Sequence, residues 1–412
     1  MKARQNLILG LCLGAAALGF LFVVHGYVKT WRLWNIPAAN LPFMDFRVIT
    51  AGADAHRQGL DPMVSNATDP SGRPLNYPRI WQGLYALGIG QEQTVLLGVI
   101  SILLFAAGVC VFIPRPSNTD VAFILAAIFS PAVLLCVERG NTDLIVFFLL
   151  ALAVASAERS AVASVALVLV GFVLKLFPLL GLTVVLGKPR RVVITAAVVA
   201  AGVMGFYVWL TYDDLLRINA LTGHDTWLSY GMNILWMKLV AEKVSDGLAI
   251  QILSRCAVFA AILWGIAGWW RGAGWGAGRE GPGLSAFRVG AACYVGTFIL
   301  ENNFDYRLVF LIFAIPQLLA WAGGAQGGLT RVARLALTAI YVSLWSMVID
   351  RLVTALPGGA WLSFLVSEAA KWTVFGTLLY LFAVSAPEWL ATARRADHPG
   401  PATAGGEPAQ SV

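Results

Sequence analysis

Long apolar runs separated by short polar turns recur along the whole chain, at roughly 6–27, 94–113, 120–137, 142–157, 161–174, 177–187, 192–211, 248–270, 289–304, 307–322, 333–349 and 362–385. A helix needs about 20 apolar residues to cross the hydrocarbon core of a bilayer, and fewer where it is broken or buried in protein. The pattern therefore predicts an all-α polytopic membrane protein of about 12 transmembrane helices by that length rule, some short or broken. Between the first two runs lies a long polar loop, 28–93, with one periodic stretch, "MDFRVITAGADAHRQGLDP". Phe46, Ile49 and Ala53 recur there at helical spacing, and Gly59 followed by Pro62 ends the pattern, which predicts a short amphipathic juxtamembrane helix.

Composition agrees with the pattern: 58% of residues are hydrophobic and 12% are charged, about half the charged share of an ordinary soluble domain. The formal net charge of +7 comes from Lys and Arg clusters that sit between apolar runs, as the positive-inside rule expects, so nucleic acid is not the implied partner. The first run is too long for a signal-peptide core and no small-residue cleavage site follows it, so it stays attached as the first span. All five cysteines lie inside apolar runs without disulfide or metal-ligand spacing, and no metal or cofactor is implied. Residues 1–397 read as a single transmembrane domain, and 398–412, rich in Pro, Ala and Gly, as a disordered cytoplasmic tail.

Placing Lys2 and Arg4 in the cytoplasm puts Arg115, the turn at 158–160, "KPRR" (188–191), the loop with Arg271, Arg279 and Arg288, the pair Arg331 and Arg334, and Arg394 and Arg395 on the same side. This requires 161–187 to be two half-helices turning near Lys175 and Pro178. The opposite, extracytoplasmic face then collects the loop 28–93, "ERGNTD" (138–143), the "LKLFP" turn, the loop 212–247, "ENNFDYR" (301–307) and 350–360. Ionisable residues at span ends are expensive to hold and mark functional sites.

Each candidate has a plainer alternative. Asp45, just before the surface helix, reads equally as its N-cap and as a general base at the mouth of a cavity. Asp54 reads as a solvated charge and Asp61 as a turn residue. Tyr77 and Arg79 in "NYPR" suit sugar or phosphate contact, whereas Tyr77, Trp81 and Tyr85 also suit an interfacial aromatic belt. Glu138 and Arg139 neutralise each other or face ligand, and Asn141 and Asp143 serve as helix caps or ligand contacts. Lys175, a cation within an apolar run, favours an anionic head group over snorkelling. At the 301–307 junction Asp305 pairs with Arg307, or Arg307 forks onto a phosphate while Asn303 and Asp305 meet substrate. His224 is a solvated loop histidine or a phosphate contact.

The order of these features resembles the GT-C superfamily of integral-membrane glycosyltransferases, and in particular glycosyltransferase family 87, the polyprenyl-phosphate-mannose-dependent α-mannosyltransferases. The resemblance runs from the first span to about residue 320 and rests on Asp45 after that span, "GLDP", "NYPR", "RGNTD" and "LKLFP" before a basic turn. The chain departs from the family at Met63, where tyrosine is common, at Arg79, where a second proline is common, and at Asn141, where glutamine is frequent. The resemblance implies an inverting transfer, in a bacterial cytoplasmic membrane, from a polyprenyl-phosphate sugar, by analogy mannose, to a hydroxyl of a lipid or glycan acceptor. Asp45 would be the base, and Lys175, Arg307, Arg139 and Arg79 would hold the donor phosphate. The alternatives are a flippase or transporter of lipid-linked saccharide, or a ligase or polymerase using a polyprenyl-pyrophosphate donor.

Overall fold

A computed structural model describes residues 2–113, 116–223, 225–244, 247–272, 281, 283–300, 302–324, 327–387 and 389. His224 and the tail 398–412 lie outside the described residues. The described residues are mostly helical. Among them, five helical stretches are long and apolar enough to cross a membrane: Lys2–His25, Gln91–Phe112, Arg190–Leu221, Leu248–Trp270 and Asp305–Ala322. The count rises to seven if each of two bent pairs is one span: Asn118–Ile128 with Pro131–Arg139, bent by 56°, and Gly328–Leu344 with Ser346–Val353, bent by 65°. This is the make-up of an all-α polytopic membrane protein.

The count of twelve is not reached on length and composition because several apolar runs fold as short helices. Three of these, Asp143–Ser156, Ala161–Leu174 and Leu284–Ile299, fall in the 10–17 residue class. The last is buried along most of its length, so its apolar run serves packing on all sides. The bend at 128–131 has a local cause: Pro131 opens the second helix of the pair and has no N–H to continue the ladder of the first.

In chain order the helices near the site are α1 (Lys2–His25), α2 (Tyr27–Leu33), α3 (Met44–Arg57), α4 (Thr94–Phe112), α5 (Asn118–Ile128), α6 (Pro131–Arg139), α7 (Asp143–Ser156) and α8 (Ala161–Leu174). Helix α8 stops at Leu174, Lys175 is extended, and the chain restarts as a 3-10 helix, Phe177–Val185, with Pro178 in its first turn. The two arms fold back on each other: a Cβ on Gly171 would lie 3.2 Å from Pro178, and one on Gly181 would lie 3.6 Å from Val168. The expected turn at Lys175 and Pro178 is present. Beyond it run α9 (Arg190–Leu221), β1 (Ser229–Tyr230), α10 (Ile234–Ala241), α11 (Leu248–Gly272), α12 (Leu284–Ile299) and β2 (Asn303–Phe304). A 3-10 helix, Asp305–Ala314, leads into α13 (Ile315–Ala322), α14 (Gly328–Leu344), α15 (Ser346–Val353) and α16 (Gly359–Val384). The strands form a small antiparallel ribbon, Ser229 opposite Phe304 and Tyr230 opposite Asn303.

Helix α3 matches the expected stretch, with Phe46, Ile49 and Ala53 buried, but Val48, Ala51 and Ala55 are buried as well. Protein therefore covers more than the one apolar face that its periodicity marks. The loop that follows wraps it, and Leu75, Tyr77 and Trp81 close a second core over its apolar side. Tyr77 and Trp81 are therefore core residues instead of an interfacial belt, and the Trp81 indole donates to the Leu174 carbonyl (3.0 Å). Only Tyr85 of that trio is exposed.

The main core rests on close backbone contact between α12 and the 305–314 segment. A Cβ on Gly290 would lie 2.8 Å from the Phe310 carbonyl oxygen and 3.0 Å from the Phe313 Cβ. Small residues at such contacts let membrane helices approach. Gly290→Ala is expected to destabilise the purified protein by about 1–3 kcal/mol through overpacking. Gly202→Ala, in α9 with nothing within 4 Å of its Cβ, should leave the thermal transition in detergent unchanged or raise it.

Candidate active site

The site begins at a backbone junction. Helix α6 ends in Gly140, whose left-handed conformation (φ 57°) allows the Asn141 N–H to reach back to the Cys136 carbonyl (3.1 Å). Directly against it sits Phe43, a non-glycine residue with φ 61° that precedes α3 and donates its N–H to the Glu138 carbonyl (3.1 Å). A Cβ on Gly140 would lie 2.7 Å from the Phe43 Cβ, so only glycine fits there. A left-handed phenylalanine costs of order 1–3 kcal/mol and persists where its surroundings impose it. The result is that the start of α3 and the start of α7 lie side by side.

Asp45 occupies the first turn of α3, where the helix dipole favours a carboxylate, but it is not the N-cap. That position belongs to Phe43, and no side chain caps the helix. The Asp45 carboxylate instead accepts from the Asn141 side-chain amide (2.8 Å), and Arg73 stands 3.8 Å from its other oxygen. The carbonyl oxygen of the same Asn141 amide accepts from Lys175 Nζ (2.9 Å) and from the Asp143 N–H (3.0 Å). Asn141 thus connects an anion on one side to a cation on the other.

Behind it, Asp143 is shared between two cations. Lys175 Nζ lies 2.6 Å from Oδ1 and Arg307 Nε lies 3.5 Å from Oδ2, while Arg307 also hydrogen-bonds the Asn303 side chain. One carboxylate facing two cations leaves a local positive excess. Lys175 Nζ also sits 5.6 Å from the Tyr77 ring centre and 5.7 Å from that of Tyr306, and Arg307 lies over Phe177 at 4.5 Å, so aromatic faces hold the charges.

A cavity of about 450 Å³ opens in front of this layer, lined among others by Asp45, Arg73, Asn76, Tyr77, Arg139 and Tyr306. Burial, then the Asp45 charge, pushes the Tyr77 phenol well above its ordinary value, so it remains a neutral hydrogen-bond donor. Arg73 is anchored by Asp69 (3.1 Å) and by the Met44 carbonyl (2.5 Å), which leaves its third nitrogen turned to Asp45. Arg139 lines the same cavity, with Glu138 as its ion-pair partner (3.3 Å).

Other expected site residues fall elsewhere. Arg79 is taken by Asp214 (2.6 Å) and Asp61 (3.3 Å) and does not line the cavity. Asp61 makes the expected turn, accepting from the Met63 N–H (3.1 Å), and in addition pairs with Arg217 (3.2 Å). Burial would raise its carboxyl, but the Met63 amide and the two guanidinium groups outweigh that and hold it below the usual carboxylate value. Asp305 does not pair with Arg307; its partner is Lys371 of α16 (2.9 Å). Asp54 is a tie rather than a free charge, accepting from the Gln91 N–H (2.8 Å) and from Arg57 (2.7 Å). Lys175, expected to meet an anion directly, stands behind Tyr77 and Tyr306, compensated by Asp143.

Arg73 was legible in the "RPLNYPR" stretch only as one more basic residue, because its role comes from long-range closure of the loop onto α3. No family model, no curated protein and no solved structure matches this chain.

The shared carboxylate gives a direct test. Asp143→Asn removes the counter-charge of Lys175 and Arg307 together and should destabilise the protein by about 3–5 kcal/mol, the cost of breaking a buried ion pair from one side. Adding Lys175→Met should recover part of that loss; a thermal transition unmoved by Asp143→Asn would contradict the pairing.

Proposed function

We propose that the chain is an inverting, polyprenyl-phosphate-sugar-dependent glycosyltransferase of GT-C type, with Asp45 as its general base. The single observation that carries this reading is the position of Asp45: a carboxylate in a cavity wall, fixed by Asn141 and faced by Arg73. A base needs this combination of fixed direction and access, and a phosphate-linked donor needs the cations beside it.

In the proposed step the acceptor hydroxyl attacks the anomeric carbon while its proton passes to Asp45. The bond from that carbon to the phosphate oxygen breaks, its electron pair leaves with the polyprenyl phosphate, and configuration inverts from β to α. Arg73 and Arg139 would bind the phosphate at the cavity wall. Lys175 and Arg307 would act from behind the tyrosines, through their positive excess, as charge develops on the leaving group. Tyr77 would donate to a sugar or phosphate oxygen. Arg79, committed to Asp61 and Asp214, drops out of the phosphate set. Mannose as the sugar, about 12 spans by the length rule, a bacterial cytoplasmic membrane and an extracytoplasmic site remain parts of the same proposal. The extracytoplasmic site is supported by charge parity along the sequence and by the contact, in the fold, of segments which that parity places on one side; the sugar and the membrane rest on the resemblance, and the number of spans on the apolar runs.

Asp45→Asn should lower transfer about 10²–10⁴-fold, the usual contribution of a general base, with the thermal transition unchanged. Arg73→Ala should raise the KM for the donor more than it lowers kcat. Wild-type turnover in the Asp45 variant would sink the assignment.

A further inference from the structure

A second cavity, of about 290 Å³, lies on the other side of the segment 225–229, and Trp227 and Leu228 line both cavities. Its lining includes Asn35, Asp350, Ser363, Ser367 and Glu368, together with Trp227. Glu368 is 4% exposed, and its Oε2 has no hydrogen-bond partner among the described residues. A buried carboxylate oxygen is costly without a donor, so the cavity calls for a ligand that supplies one.

The charges say which kind. Both lysines of the lining are engaged: Lys371 with Asp305 (2.9 Å) and the Ser229 carbonyl (2.7 Å), Lys238 with Glu242 (2.8 Å) and over the Trp361 ring (5.8 Å). Glu368 has Lys371 one turn away on α16, but that lysine is committed to Asp305; neither Glu368 nor Asp350 forms an ion pair among the described residues, and Asp350 accepts only weakly from Asn35 (3.4 Å). An anion is disfavoured, so the donor phosphate does not belong here. Hydroxyls and carboxylates around an exposed indole suit a neutral polyhydroxylated ring, which donates to the carboxylates and rests an apolar face on the aromatic.

The backbone that carries the indole is held in place. The Trp227 backbone N–H donates to the Asp225 side chain (3.0 Å), the Asn302 side chain donates to the Asp225 carbonyl (2.5 Å), and the Asp305 N–H donates to the Leu228 carbonyl (2.7 Å). The geometry points to a pyranose-binding subsite at Glu368, one wall away from the reacting centre. Resting on the transferase reading, this makes the acceptor a glycan whose sugar beyond the reacting unit lodges in the second cavity.

The test is photoaffinity labelling of the full chain in detergent with diazirine-bearing methyl α-hexosides of mannose, glucose and galactose, followed by peptide mapping. Labelling on α16 between 359 and 371 is expected, displaced by the parent hexoside, weakened at least about tenfold by Glu368→Gln and retained in Asp45→Asn. The wild-type map alone decides if the Glu368 variant does not fold. Labelling confined to residues around Arg73 and Arg139, no labelling by any hexoside, or displacement by ethanolamine more strongly than by sugar would overturn the subsite. Labelling needs no turnover, so a hexoside on α16 without any transfer would fail the transferase reading alone, and transfer without labelling would fail this one alone.

Discussion

The side chain of Asn141 joins the two charged halves of the site. Its amide nitrogen donates to Asp45 and its oxygen accepts from Lys175, so a neutral group separates an anion and a cation that would otherwise collapse onto each other. Removing charges from water is expensive unless each is paired or hydrogen-bonded. Here Lys175 is satisfied by Asp143, which leaves Asp45 a carboxylate bonded to a neutral amide and approached by Arg73 at 3.8 Å. The Phe43–Gly140 contact makes this arrangement geometrically possible, because it brings the first turns of α3 and α7 together.

The charges are layered around that amide. Arg73 and Arg139 stand at the cavity wall, and Lys175 and Arg307 stand behind Tyr77 and Tyr306 and share one carboxylate. The outer pair can touch an anion, and the inner pair can favour one at a distance in a region of low dielectric. The inner pair also holds elements together. Lys175 caps the break after α8, Asp143 opens α7 and Arg307 lies in the 305–314 segment, so one ion cluster ties three otherwise apolar elements.

Much of this was legible in the sequence because polar residues are rare in it. The turn at Lys175 and Pro178, the span of α3 and the association of Asp45, Asn141, Asp143, Lys175 and Arg307 all follow from charges set at the ends of apolar runs. Burial and pairing were less legible. Periodicity marked one face of α3 as apolar, but the loop that covers its other sides has no period to read, so Tyr77 and Trp81 look interfacial in sequence and are buried in the fold. Partner choice was hidden for the same reason: Arg79 finds Asp214 and Asp305 finds Lys371 across separations of 135 and 66 residues, which no local spacing reports. Short helices such as α7 and α12 look like spans by composition, and only packing shows them enclosed.

The central claim is that this site moves a sugar with inversion at its anomeric carbon. The most direct measurement is the fate of a polyprenyl-phosphate β-mannose labelled in the sugar, incubated with the purified chain and membrane lipid or glycan acceptors, with the product linkage read by NMR. Free polyprenyl phosphate and an α-linked product are expected in equal amounts. A donor that stays intact, or a β-linked product, would contradict it.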